Sequence, residues 1–516
     1  MSPTLLAVDC GTQSLRALIF SQTGELLARV QEEYEPYVSP NPGWAEQEPE
    51  IYKQAMIRCI QRLKTEAPEP FGSLAGMGIT SQRDTLINVD KTGTPLRPAI
   101  VWLDQRRADP VFARSGPVKW GVTLLGLSKK LSHVQAQGKC NWIRQNQPEI
   151  WKKTHKYLQV SGFLNHYLTG EFKDSVASQI GHLPFNYKKQ NWAGPFSIPG
   201  RIFPVPKSKL PRLVAPGEVL GRVASAAAQR TGLPKGLPVV ACGSDKGCET
   251  LGAGVTDPSM VSLSFGTTAT VQTNTRKYFE AVPLMPPYPS PVPGCFSPEV
   301  EIFRGFWMIT WFKKEFAHSE VARARELGVV PEQLLDQCLE RTQPGAMGLM
   351  TQPYWSPGLD YPDAKGAMIG FGADHTKDHV YRAVIEGLGF ALREGMEKIA
   401  ARGGTVPVQA AVSGGASQSD AICQITADIF NLPMVRGRTH ETSGLGAALI
   451  TAVGCGLHAD LDTAVSAMVQ VSRTFEPNPE AVQLYDALYS RVYKKMYKAL
   501  VPLYKEIQDI TGYPEK

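Results

Sequence analysis

The chain has 516 residues, 43% of them hydrophobic and 20% charged, with 54 Lys and Arg against 48 Asp and Glu. That composition excludes a wholly disordered chain, and a net charge of +6 with its basic pairs scattered along the length argues against a nucleic-acid binder. Nine irregularly spaced cysteines without a CxxC pair exclude a small disulfide scaffold and give a zinc knuckle no local support.

The length predicts two to four structural units, at about 100–200 residues each. The N-terminus shows neither a basic stretch nor a long apolar run, so no signal peptide is expected, and no apolar run approaches the length of a membrane span. The odd cysteine count fits a reducing cytoplasm.

In chain order, Leu5 to Val8 predicts a strand, followed by the polar loop Asp9 to Ser14 and a second strand, Leu15 to Phe20. Ser21-Gln22-Thr23-Gly24 reads as a hairpin turn into a third strand from Leu26. Helical spacing runs from 46 to 64, and Gly76 to Val89 reads as one strand before the turn Asp90-Lys91-Thr92-Gly93. Residues 185 to 221 are rich in Pro and Gly, as a long surface connection would be. The strand Leu237 to Ala241 leads into Cys242-Gly243-Ser244-Asp245, and Met260 to Phe265 leads into Gly266-Thr267-Thr268. Seven prolines between 283 and 298 predict an extended, irregular loop.

Further on, a helix is expected from Asp378 to Ala401, ended by Gly403-Gly404. His375 and His379 are four apart but lack the Glu of a metalloprotease motif, and read as helix-start residues. A strand, Val408 to Val412, runs into Gly414-Gly415-Ala416 and a helix. Gly444 to Gly454 is a small-residue helix suited to close packing, and Asn478-Pro479 opens the last helix. Both halves thus begin with a strand ending in Gly-Thr plus small polar residues. This predicts an α/β protein of two related domains, 1–254 and 255–516.

Four places can carry chemistry. In the first loop, glycine allows close approach to a phosphate, and Asp9 at a strand end can hold Mg²⁺ through water; an ordinary polar hairpin tip would look the same. Gly266-Thr267-Thr268 and Gly414-Gly415-Ala416 repeat the glycine chemistry, and three such loops over two halves suggest a nucleotide. No GxxxxGK[ST] is present, so the site is not of Walker type. In Thr80 to Thr85, Arg83 offers a fork of donors and Asp84 two acceptors, which can clamp a polyol against Trp102 or simply pair with each other. Asp245 can accept a proton from an attacking hydroxyl or cap a helix starting near Lys246.

Taken together, these segments resemble the FGGY family of carbohydrate kinases. VDCGTQSLRALIF is similar to the family's first phosphate loop, and GITSQRDTLINVDKTGTPLRPAIVWLDQR to its sugar-binding stretch, in a form close to glycerol kinase. GSDKGCETLGAG resembles the segment of the catalytic aspartate, and SFGTTATV the second phosphate loop. VSGGASQSDAICQITADIFNLPM with ETSGLGAALITAVG resembles the adenosine-binding part. The resemblance implies two actin/hexokinase-like (ribonuclease H-like) domains with a cleft between them, and ATP-dependent phosphorylation of a small sugar or polyol.

Residue by residue, the resemblance gives Asp245 the general-base place and Asp9 the magnesium-linked place. It sets Gly11, Thr12, Gln13, Ser14 and Arg16 at the phosphates, with Gly266 and Thr267 from the second domain. Thr310, Gly415 and Ser419 would line the rest of the nucleotide site. Gln82, Arg83, Asp84, Trp102, Asp245 and Lys246 would hold the substrate. Lys246 stands where relatives often carry Gln or Asn, and Ser244 replaces a frequent glycine. Ser419 stands where glycerol kinases have Asn, and Asp84 where they have Glu. These departures bear on the substrate rather than on phosphoryl transfer. ATP and Mg²⁺ are the implied cofactors; a homo-oligomer is left open, and neither nucleic acid nor a membrane is expected as a partner. A chaperone-like ATPase or a sugar-binding regulator on the same fold would lack sugar-dependent turnover.

Overall fold

The computed structural model describes residues 2–110, 128–356, 358 and 361–513. The chain forms two compact units. The first takes in Met1–Gly252 and also Tyr288–Phe296 and Glu441–Val469; the second takes in Ala253–Pro287, Ser297–His440 and Gln470–Lys516. The chain therefore returns to the first unit twice.

Each unit is built on a six-stranded sheet. In the first, the spatial order is Val219–Arg222, Pro238–Val240, Leu74–Ser81, Thr4–Cys10, Ser14–Ser21, Leu26–Glu33. Thr4–Cys10 pairs antiparallel with Ser14–Ser21 and parallel with Leu74–Ser81, which is parallel in turn to Pro238–Val240. In the second unit Met260–Phe265 holds the corresponding place, antiparallel to Ala269–Gln272 and parallel to Gln409–Ser413, with Met434–Gly437 parallel beyond it. The edge strands beyond the parallel set, Val219–Arg222 and Val471–Phe475, both run antiparallel to their neighbours. They enter the chain in opposite order, before its neighbour in the first unit and after it in the second. The two halves thus share a sheet plan, which accounts for the repeated strand-end loops.

The central strand Thr4–Cys10 is buried along its whole length. Strand side chains alternate between faces. Leu6, Val8 and Cys10 meet Tyr52, Met56 and Ile60 of the helix Pro49–Glu66, while Leu5 and Ala7 meet Leu445, Ala448 and Leu449 of the helix Thr442–Gly454. Each such leucine side chain, fully removed from water, contributes roughly 1.5–3 kcal/mol. The same alternation sends Asp9 to the face of the Thr442–Gly454 helix.

That helix is small-sided for a reason. A Cβ on Gly252 would fall 1.9 Å from the Thr442 carbonyl oxygen, and one on Gly446 would fall 1.9 Å from the Cys248 carbonyl oxygen. The helices Asp245–Gly252 and Thr442–Gly454 therefore touch backbone to backbone.

Two expectations change. The run Gly76 to Val89 is not one strand: it ends at Ser81 and resumes as Leu86–Val89 in a separate four-stranded sheet. Asp84 lies between with φ +53°, a left-handed conformation that breaks any strand. The last helix, opened by Asn478 accepting the Glu480 and Ala481 amides, is interrupted at Tyr489–Tyr493 by a π-helical turn. His379 serves the helix start as read: its ring nitrogen accepts the Thr376 amide.

Candidate active site

In the first unit three parallel strands end on one edge of the sheet, where ligands of open α/β sheets bind. The edge is tied across: Thr80 Oγ1 donates to the Gly243 carbonyl at 3.0 Å, and Ser81 forms a parallel bridge with Ser244. These ties bring Asp9, the turn Gln82–Asp84 and Asp245 together.

Asp9 is 7% exposed. Burial pushes its carboxyl up to about 7; Arg16 opposes this, and the negative charges of Asp245 and Glu441 add to it. Arg16 Nη1 lies 3.3 Å from Asp9 Oδ2, and its Nε lies 3.7 Å from Glu441 Oε2. Glu441, which precedes the small-residue helix, also takes Arg29 at 2.6 Å. Glu441 opens the segment ETSGLGAALITAVG, but the sequence does not show its arginine partners, which lie more than 400 positions away.

The loop Gly11 to Gln13 is held by its carbonyl oxygens. Tyr34 Oη donates to the Gly11 carbonyl at 2.7 Å, Gln47 Nε2 to that of Thr12 at 2.9 Å, and the Tyr34 amide to that of Gln13 at 2.9 Å. Gln82, 3% exposed, joins this scaffold: Oε1 accepts from Thr12 Oγ1 at 2.8 Å, and Nε2 faces the Gly11 carbonyl at 3.4 Å. Gln82 therefore acts on the loop from beneath. Trp102, 42% exposed, donates its indole N–H to Thr12 Oγ1 at 3.0 Å. Ser14 begins the next strand, its carbonyl accepting the Gly11 amide at 2.9 Å.

Asp245 opens the helix Asp245–Gly252, yet it is not the cap. Ser244 is: its carbonyl accepts the Cys248 amide at 2.8 Å and its Oγ accepts the Gly247 amide at 3.3 Å. The Asp245 carboxylate accepts the Lys246 amide at 2.8 Å and lies 3.9 Å from Arg83 Nε. Burial raises its pKa, while Arg83 and Lys246 oppose the rise. Lys246 Nζ reaches Glu249 Oε2 at 2.8 Å. The proline-rich segment adds a cover: the Arg83 guanidinium sits 5.1 Å from the Tyr288 ring centroid, and Pro291 packs where side chains on Gly243 or Gly247 would stand.

Asp84 turns the other way. It meets Lys139 and His182; the lysine's positive charge and the hydrogen bonds from both side chains hold its carboxyl well below the usual range against the cost of burial. The Val101 to Arg106 stretch is propped by Arg106, paired with Asp104 at 2.7 Å and stacked 3.9 Å from the Trp44 ring centroid.

In the second unit the loop after Met260–Phe265 is also held by carbonyls. Gly266 accepts the Phe306 amide at 3.0 Å, and Thr267 accepts the Trp307 amide at 3.3 Å. Thr310 is exposed on the helix Trp307–Glu315. Gly414 has φ +85° and its backbone lies against Phe265, where a Cβ would come within 2.8 Å of the carbonyl carbon; Gly415 borders open space. Ser419 is 8% exposed and caps the helix Asp420–Phe430, accepting the Ile422 amide at 3.2 Å and donating to Asp336 at 2.6 Å.

Comparison with known proteins matches residues 4–252 to the N-terminal domain and residues 261–455 to the C-terminal domain of the FGGY family of carbohydrate kinases. The chain belongs to that family. It is a carbohydrate kinase, a phosphotransferase with an alcohol group as acceptor. It is 29% identical to an uncharacterized sugar kinase of Escherichia coli K12 over 96% of this chain and 93% of the relative. It is 28% identical to a xylulose kinase of Lactococcus lactis, covering 96% of each. The crystal structure of a xylulose kinase from Rhodospirillum rubrum superposes with a TM-score of 0.83 at 26% identity, over 97% of this chain and all of that one. The two-domain α/β fold expected of FGGY kinases is thus present. Among the described residues no helix is long and apolar enough to cross a membrane.

Proposed function

We propose that this FGGY kinase transfers the γ-phosphoryl group of MgATP to a primary hydroxyl of a small sugar or polyol, a ketopentose such as xylulose or a glycerol-like polyol, with Asp245 as general base. The observation that carries the reading is the Asp245 carboxylate, released from capping by Ser244 and set beside Arg83.

Asp245 takes the proton of the hydroxyl as its oxygen attacks phosphorus, the bond to the β-phosphate oxygen breaks, and ADP leaves. Burial raises the basicity of Asp245, while the charges of Arg83 and Lys246 oppose the rise. General-base help contributes about 10²–10⁴-fold, and positioning with electrostatic stabilisation the rest. In the carbonyl-anchored loop from Gly11 to Gln13 the Gly11 amide is taken by the Ser14 carbonyl, and the amides of Thr12 and Gln13 are assigned to the β- and γ-phosphates, with Ser14 and Arg16 beside them. Gly266 and Thr267 are assigned to the phosphates, and Thr310, Gly415 and Ser419 to the border of the adenosine. Arg83, Trp102 and Lys246 are assigned to the substrate, Asp84 is held by Lys139 and His182, and Gln82 supports the loop.

The residues fit a magnesium ion. Asp9 is a buried carboxylate whose ionisation burial and Asp245 oppose, so a nearby cation would favour its charged form. Among the described residues no cluster of three or more metal-ligating side chains exists. One carboxylate acting through water, with phosphates and waters completing the shell, is how Mg²⁺ is usually held. It would supply charge neutralisation at the transferring phosphoryl group. The cysteines are all free thiols, which fits a cytoplasmic site of action.

ADP release is the test, against glycerol, erythritol, xylulose, ribulose, fuculose, rhamnulose and gluconate, with Asp245→Asn as the control. Sugar-stimulated turnover lost in the variant supports the reading. ATP hydrolysis indifferent to every sugar favours a regulatory or chaperone-like role.

A further inference from the structure

Asp84 cannot offer its carboxylate freely to a substrate, because the protein already uses it. Oδ1 accepts the His182 amide at 2.9 Å. Oδ2 accepts from Lys139 Nζ at 2.5 Å and from the His182 ring at 2.7 Å. Lys139 Nζ also donates to the Asp84 carbonyl oxygen at 2.6 Å. Within this cluster the Lys139 side chain is 5% exposed, that of Asp84 14%, and that of His182 27%. The member open to the surroundings is the histidine.

The chemistry of the contact fixes what His182 presents. A carboxylate only accepts, so Nδ1 carries the proton. In the neutral ring Nε2 is then a bare acceptor. Among the described residues nothing in the protein occupies Nε2. The surroundings hold the ring in this orientation. Gly181 has φ +120°, and a Cβ there would fall 2.2 Å from Asp84 Oδ1, so only glycine lets the loop bring His182 to the carboxylate. The Gly181 amide donates to Tyr187 Oη at 3.2 Å. The ring of His182 stands edge-on to Phe203, with centroids 5.7 Å apart.

Arg83 and Asp84 are consecutive but serve different ends. Arg83 reaches Asp245, the reacting end, and Asp84 reaches His182. We propose that Nε2 of His182 accepts a hydrogen bond from a hydroxyl of the bound sugar or polyol other than the one phosphorylated, and so selects for substrates that carry that hydroxyl. The inference rests on the kinase reading above. It assigns to His182 the contact that the sequence suggested for Asp84, with Asp84 and Lys139 as positioning residues.

Two variants separate this role from a structural tie. His182→Asn keeps a donor where Nδ1 meets Asp84 but has no atom at Nε2; His182→Phe removes both. Steady-state kcat and KM are measured at saturating MgATP with glycerol, erythritol, xylulose, ribulose and gluconate, with thermal midpoints recorded for both variants. The expected result is a KM for the preferred substrate raised about tenfold or more in both variants, with kcat within about threefold of the parent. Discrimination between the preferred substrate and its next competitor narrows accordingly. Wild-type KM values in His182→Asn overturn the proposal, whether or not His182→Phe folds, because a structural tie alone is what Asn restores. A fall in kcat at unchanged KM also overturns it. Absence of sugar-dependent turnover in the unmodified protein refutes the kinase reading itself, and this inference with it.

Discussion

Ser244 Oγ accepts the Gly247 amide at 3.3 Å, and this contact settles what Asp245 is free to do. A helix start leaves its first amides without intrahelical partners, and Asp is among the residues that can satisfy them. Here Ser244 takes that task. The Asp245 carboxylate keeps one amide contact, from Lys246, and stays beside Arg83. The serine that departs from the family's frequent glycine thus relieves Asp245 of capping.

Asp245→Asn should therefore fold normally and lose at least about 10²-fold in kcat. The amide keeps an acceptor for the Lys246 amide but cannot take a proton. The check is kcat in the ADP-release assay with a thermal midpoint alongside. Activity within a few-fold of the parent would remove Asp245 from the base role.

Much of this site was legible in the sequence because its parts sit at strand ends, where a run of apolar residues stops at Gly, Asp or Thr. Asp9, Gly266, Gly414 and Asp245 all announce themselves this way, and Met260–Phe265 appears with its bounds intact. What escaped was set by distant partners. Gln82 reads as a substrate ligand until the 2.8 Å contact with Thr12 shows it supporting a loop 70 positions away. The sequence also does not show that Ser419 is held by Asp336, 83 positions away, while it caps the helix at Ile422. His182 and Lys139 carry no local pattern at all, and Glu441 gives no local sign of its distant arginine partners. The strand misread across Gln82–Thr85 has a local cause: apolar residues flank the turn on both sides, and nothing marks the positive φ of Asp84, since Asp tolerates that conformation without requiring it.

Asp9 gives a pH-dependent prediction. Its carboxyl, ordinarily near 3.8, is raised to about 7 in the fold by burial. The folded state then holds a proton that the unfolded state has released, so from about pH 4 to pH 7 stability falls as pH rises, and above pH 7 this loss is complete. Asp9→Asn has no such loss. Measured without nucleotide or magnesium, the variant should equal the parent near pH 4 and exceed it at pH 8, by at most a few kcal/mol. Urea unfolding at both values decides it, and a constant difference across the range would refute it. Activity should be lost in the same variant.

Tyr288 caps Arg83 from the proline-rich segment. A guanidinium over an aromatic face is worth about 0.5–2 kcal/mol. Tyr288→Ala should lower kcat/KM for the sugar about two- to thirtyfold, leave KM for ATP near its parent value, and shift the thermal midpoint little. Tyr288→Phe keeps the ring face and should stay near the parent. Equal losses in both variants would point to the tyrosine hydroxyl instead.

Gly414 and its neighbour Gly415 separate backbone need from ligand contact. Gly414 has φ +85° and ψ 172°, a region open essentially to glycine alone. An added Cβ would stand 2.8 Å from the Phe265 carbonyl carbon and 2.9 Å from its oxygen, atoms fixed in the central strand of the second sheet. Gly414→Ala should cost about 1–3 kcal/mol from the backbone alone, with the contact adding to it. Gly415 has no atom within 4 Å of its would-be Cβ. Gly415→Ala should leave the urea midpoint unchanged and raise KM for ATP several-fold, because the methyl group would enter the space assigned to adenosine. A normal KM for ATP in a folded Gly415→Ala protein would place the nucleotide elsewhere.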